Sequence, residues 1–135
     1  MKRAFSDWTK WTDRAALADL GYPGVYALAI SPAELSALPF SWRLEIVYVG
    51  MTNAKGGDGH GGGHRVRFKH SDYHELTSHL FVSVCPWECD VTLNDPANLR
   101  LMGEVTKHEY ECFALFVEMF GNLPEFNDKK KSPKK

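Results

Sequence analysis

Cysteine is scarce in this chain. Three residues, Cys85, Cys89 and Cys112, occur in 135 positions. An odd number this small excludes a fully paired disulfide framework. No apolar run approaches the roughly 18 residues that a membrane helix needs. The opening MKRAFSDWTK has no apolar stretch of the kind that marks a secretion leader. A cytoplasmic protein without a membrane segment is therefore the expectation. Charge of one sign is also lacking, since the formal net charge is -1. That balance hides an asymmetry. Residues 128–135, DKKKSPKK, hold five lysines and one acid, and the remainder carries 11 basic and 16 acidic residues. A mildly acidic body thus ends in a basic tail, and a tail of this kind adds salt-sensitive attraction to phosphate. A phosphate-binding loop of the GxxxxGK type is absent.

What is present is a core. Apolar residues make up 44% of the chain and aromatics 13%, enough for a single folded domain at this length. We read one domain over 1–128 and a basic tail over 129–135. Residues 24–30, GVYALAI, form a β-rich run. Residues 44–50, LEIVYVG, are apolar on both alternating sets, with Leu44, Ile46 and Tyr48 opposed to Glu45, Val47 and Val49, which suits a covered strand. HLFVSV at 79–84 is a third strand. Thr12 caps an expected short helix over 12–20, and Ser31-Pro32-Ala33-Glu34 has the form of a capping box opening a helix to Leu38. Asp95-Pro96 opens a long helix over 97–120, closed by Gly121 and Pro124. Its apolar stripe holds Leu101, Val105, Cys112, Phe113, Phe116 and Phe120. Residues 51–64 contain six glycines and are expected to form an exposed loop. Arg65, Arg67 and Lys69 then alternate with Val66 and Phe68 at strand period, followed by His70.

Gly24-Val25-Tyr26 on one strand, Tyr48-Val49-Gly50 on the next, a later helix bearing glutamate, and the closing Leu123-Pro124-Glu125-Phe126-Asn127 together resemble the GIY-YIG endonuclease superfamily. The resemblance spans roughly residues 22–128. It implies an α+β fold in which helices flank a small three-stranded, mainly antiparallel sheet. It also implies a DNA endonuclease that uses Mg²⁺ or Mn²⁺, with Tyr26 and Tyr48 at the site and one of them as general base. Arg65 becomes the phosphate clamp, Glu109 the metal ligand, and Arg67, Lys69, His70 and Asn127 contacts to the nucleic acid, with Asn127 the family's closing asparagine that fixes the loop near the sheet or the substrate. DNA is the implied partner, with a homodimer or a partner protein supplying specificity. Hydrolysis of a phosphodiester asks for these residue types. A tyrosine, with a pKa near 10, acts as a base only beside positive charge. Arginine grips phosphate through its fork, and a single carboxylate suits an ion that keeps most of its waters.

Glu109 is chosen over Glu104, Glu111 and Glu118 because Cys112, Phe113 and Phe116 follow it at three, four and seven positions, as in the family. A carboxylate on an apolar stripe also calls for a partner. Glu111 ranks second. Tyr26, Tyr48 and Glu109 are expected on one concave surface, their tips within about 10 Å of one another. No arginine follows Gly50 until Arg65, fifteen residues on. Either the glycine loop returns Arg65 to the tyrosines, or the chain is a weak or inactive relative that binds nucleic acid. A zinc-stabilised interaction protein is a third reading, from Cys85 and Cys89 with His108 and Cys112 four apart on one helix face. Burial of Cys112 on the core stripe is the plainer account of that cysteine. His60, His64, His70 and His74 around the loop read as exposed or phosphate-facing.

Overall fold

The structure, a computed structural model, describes residues 4–16, 22–52, 79–89 and 95–127. Strand β1 (Thr9–Lys10) leads into a 3₁₀ turn at Trp11–Ala16. Strands β2 (Gly24–Ile30), β3 (Ile46–Thr52) and β4 (Leu80–Pro86) follow, then helix α1 (Pro96–Phe120) and a short 3₁₀ turn at Glu125–Asn127. The described strands make one antiparallel sheet in the order β1-β4-β2-β3. The α+β class is as expected, but the sheet has four strands rather than three. The extra one, β1, is two residues long and carries no sequence signal. It is held by its neighbour Ser6, whose N–H donates to the Val84 carbonyl at 2.8 Å and whose hydroxyl oxygen accepts from the Val84 N–H at 3.1 Å. The fully buried Ser83 hydroxyl donates to the Ser6 carbonyl. That bond offsets the cost of burying a hydroxyl.

Strand β2 is central because both of its faces are apolar. Val25, Ala27 and Ala29 share one core with Val49, Phe81 and Cys85, and α1 covers it with Val105, Cys112 and Phe116. Tyr26 and Leu28 share the other with Leu80, Val82 and Val84. Gly24 permits the close pairing with β4, since a Cβ there would strike the Cys85 carbonyl. On β3 the alternation read from the sequence breaks. Leu28 pairs with Tyr48 and Ala29 with Ile46, which leaves Val47 as an extra residue in a bulge. Ile46 therefore turns toward the helix-covered core while Val47 and Tyr48 both join the other. Leu44 and Glu45 belong to the preceding turn, not to the strand.

Helix α1 follows its end signals. The Asp95 carboxylate accepts from the Asn98 N–H at 2.9 Å, and Gly121 closes the helix at φ 89° with its N–H on the Val117 carbonyl. Val105, Cys112 and Phe116 are buried, while Leu101, Phe113 and Phe120 flank them. Two other helices differ from expectation. Over 12–20, a 3₁₀ turn occupies Trp11–Ala16 and residues 17–20 lie outside the described residues. Over 31–38 there is no helix. The Ser31 hydroxyl oxygen accepts from the Ala33 N–H at 3.1 Å, a local turn that competes with a capping box. Glu34 pairs with Lys10 at 3.5 Å instead of turning back, Leu35 is buried in the core, and Ala37 is left-handed at φ 69°.

The same segment carries a pH-sensitive contact. The Glu45 carboxylate accepts from Arg43 Nε at 2.6 Å and from the Ser31 hydroxyl at 3.0 Å. The Arg43 bond first, and Ser31 after it, hold the Glu45 carboxyl below its ordinary range against the opposing effect of partial burial. A depressed carboxylate stabilises the fold above its unfolded pKa, and the contribution is lost as pH falls through the lower folded value. The wild type should therefore melt above Glu45→Gln at pH 7. The gap should close as pH drops below about 4. A gap that persists undiminished at pH 2 would refute this assignment.

Candidate functional site

The two tripeptides of the sequence lie on neighbouring antiparallel strands, with Tyr26 directly opposite Gly50. Pleat alternation sends Tyr26 to the face that α1 does not cover. The bulge at Val47 sets Tyr48 on that same face. The two rings meet with centroids 6.0 Å apart, tilted by 41°. Gly50 is the floor beneath them. A Cβ on Gly50 would lie 2.8 Å from the Tyr26 hydroxyl and 2.8 Å from Tyr48 Cε2. Tyr26 is buried, hydroxyl included, with 1% of the residue exposed, whereas Tyr48 is half-buried. Trp11 from the first 3₁₀ turn and Phe126 from the second pack around the pair. Neither was legible as part of the site. Trp11 stands in no recognisable pattern, and Phe126 was visible only as part of the closing LPEFN.

Asn127 has a definite structural partner. Its Oδ1 accepts from the Val49 N–H at 2.8 Å and its Nδ2 donates to the Val49 carbonyl at 2.9 Å. The side-chain amide thus stands in for a strand on the outer side of β3, between Tyr48 and Gly50. It holds the turn that carries Phe126 against the tyrosines. The resemblance made Asn127 both a contact to nucleic acid and a residue that fixes the closing loop near the sheet or the substrate; the two bonds show it holding that loop to β3. With each bond contributing about 1 kcal/mol net, Asn127→Ala should lower stability by about 2 kcal/mol in urea titration. Asn127→Asp should do at least as much, because it sets a carboxylate oxygen against the Val49 carbonyl. A loss below about 0.5 kcal/mol in both would mean that the turn is not fastened here.

Glu109 is half-buried on α1. Three residues before it, Thr106 Oγ1 reaches Met51 Sδ at 3.5 Å, and residues three apart on a helix are neighbours. Glu109 therefore sits on the margin of α1 that borders β3, while the rings of Tyr26 and Tyr48 lie on the opposite face of the sheet. Glu104, Glu111 and Glu118 are exposed. The expected gathering of Tyr26, Tyr48 and Glu109 on one concave surface is therefore not found: one half-buried carboxylate is the donor chemistry of an ion that keeps most of its waters, but it stands across the sheet from the rings. Among the described residues no group of three His, Cys, Asp or Glu side chains is arranged to hold a metal. Cys85 and Cys112 are buried and Cys89 is half-buried. Burial above all, with Cys85, Glu109 and Glu111 adding to it, pushes the Cys112 thiol up to about 12. It is a neutral core residue. Arg65, Arg67, Lys69 and His70, the expected strand over 65–70 and most of the glycine loop lie outside the described residues, as does the basic tail.

No family model, curated protein or solved structure matches this chain.

Proposed function

We propose that the tyrosine pair is the centre of a nucleic-acid phosphodiesterase, a divalent-metal-dependent DNA endonuclease of the GIY-YIG kind. The observation that carries this reading is the meeting of the tilted Tyr26 and Tyr48 rings over a glycine that no larger residue can replace in place. Ordinary strand packing does not require a bare position beneath two phenolic rings.

In this reading Tyr48, the more accessible phenol, takes a proton from the attacking water, and Tyr26 beneath it fixes the ring. Arg65 grips the scissile phosphate and lowers the pKa of the nearby phenol through its charge. Arg67, Lys69 and His70 extend the contact along the backbone. Glu109 would hold a Mg²⁺ or Mn²⁺ on the α1 side of β3, and an ion there would supply charge neutralisation to a phosphate that runs over the edge of β3. Asn127 and Gly50 keep the strand under the tyrosines in register.

A supercoiled-plasmid nicking assay with Mg²⁺ or Mn²⁺ tests the proposal. Tyr48→Phe keeps the ring and removes the hydroxyl, so it should slow nicking by about 10²-fold or more with little change in thermal midpoint. Equal rates in the variant and the wild type would remove Tyr48 from the chemistry. Burial of the Tyr26 hydroxyl favours a second reading, in which the domain binds nucleic acid and cuts it weakly or not at all. Salt-sensitive DNA binding without nicking under either metal would select it.

A further inference from the structure

One side of α1 is exposed and largely apolar, bordered toward the sheet by Thr106, which touches Met51 of β3, and by Phe113, which is half-buried against the core. Leu99, Gly103, Thr106, Tyr110, Phe113 and Val117 recur at alternating spacings of four and three, which keeps them on one stripe of a helix. Leu99 is 58% exposed, Tyr110 66% and Val117 39%. Tyr110 and Phe113 are joined edge to face, with centroids 5.6 Å apart. Gly103 interrupts the helix interior although nothing lies within 4 Å of where its Cβ would be. No described neighbour in the chain calls for a glycine there, and glycine is a poor helix former.

We propose that this stripe is the interface with a second copy of the chain, packed antiparallel about a two-fold axis near Tyr110. In a two-fold contact, whatever one helix offers the other must receive in reverse order. The stripe meets that condition in size. Gly103 comes opposite Val117 of the other copy and Thr106 opposite Phe113, so each small residue faces a larger one, and Leu99 comes opposite the half-buried Phe120 at the edge of the stripe. It meets it in charge as well. Arg100 and Lys107 flank the first half of the stripe, and Glu111 and Glu118 flank the second half on the same side. Antiparallel pairing brings Arg100 to Glu118 and Lys107 to Glu111, with Glu104 opposite Ala114. Parallel pairing would set like charges side by side. None of these four charged residues makes an ion pair among the described residues. Gly103 then has a purpose, because a residue without a side chain at this position lets the two helices approach. This inference does not depend on the activity of the tyrosine site.

Sedimentation of the full chain from about 1 µM to 1 mM reads the outcome, a range that covers the weak end of interfaces. The wild type should pass from monomer to dimer. The variants R100E/K107E and E111K/E118K should each associate at least tenfold more weakly, with unchanged circular dichroism. An equimolar mixture of the two should recover the dimer, because each acidic flank then meets a basic one. Gly103→Gln covers the case in which a reversed-charge chain does not fold. Its side chain enters open space in the monomer, and it should weaken the dimer tenfold. A wild type that stays monomeric throughout overturns the proposal. So does a dimer that none of these variants weakens, or a mixture of folded variants that stays monomeric.

Discussion

Gly50→Val should cost this protein stability and activity together. The first Cβ atom alone would lie 2.8 Å from the Tyr26 hydroxyl, 2.9 Å from Tyr26 Cζ and 2.8 Å from Tyr48 Cε2. Relief requires a ring to move. The Tyr26 ring is buried among Trp11, Leu28 and Val84 and has nowhere to go. Overpacking of this kind costs about 1–3 kcal/mol, and the two extra methyls of valine place it toward the upper end. If the tyrosines carry the chemistry, a displacement of about 1 Å is enough to slow it about 10²-fold. Thermal midpoint and nicking rate are the measurements. A variant that melts and nicks like the wild type would show that the rings do not rest on Gly50.

Phe116→Ala should be the most damaging single change in the core. Phe116 is 2% exposed and sits between Trp42, at a centroid distance of 6.5 Å, and Phe120, at 4.7 Å. It fastens α1 to the face formed by Val25, Ala27 and Val49. Removing a buried phenyl ring costs about 3–5 kcal/mol, a large share of the roughly 5–15 kcal/mol that holds a domain together. Leu115, the adjacent residue, is 39% exposed, so Leu115→Ala should stay within about 0.5 kcal/mol of the wild type. Urea titration of both variants gives the comparison. Similar losses at the two positions would mean that α1 is not seated by this face.

The elements legible in the sequence were those fixed by local signals. The run GVYALAI is apolar at consecutive positions and is strand β2 from end to end. Asp95, Pro96 and Gly121 fixed both ends of α1 to within a residue. What escaped depends on residues far apart in the chain. Thr9–Lys10 is a strand only because Val84 is there to bind Ser6, 78 positions away. The box at Ser31 gives way to a turn in which the Ser31 hydroxyl accepts from the Ala33 N–H, while Glu34 is held by Ser36 and by Lys10 from far back in the chain. The bulge at Val47 parted Ile46 and Tyr48, expected on one face, onto the two faces of the sheet, and no pattern within LEIVYVG announces it. For the site, the two tyrosines and Gly50 were visible as tripeptides. That Asn127 fixes the closing loop was implied by the resemblance, but its bidentate hold on Val49 was not, since nothing near either residue points to the other.

That hold has a consequence beyond the site. An outer strand with unused N–H and C=O groups is a template on which another chain can add, the route by which β-proteins polymerise into fibrils. Val49 is closed to that route, because Asn127 occupies both of its outward groups. The bulge two residues earlier interrupts the flat ladder that an incoming strand needs, and β1 at the other end of the described sheet offers only two residues. A single side chain thus acts as a plug against cross-β growth along the described edge of the sheet, and Asn127→Ala should form fibrils on prolonged storage at high concentration in addition to its loss of stability.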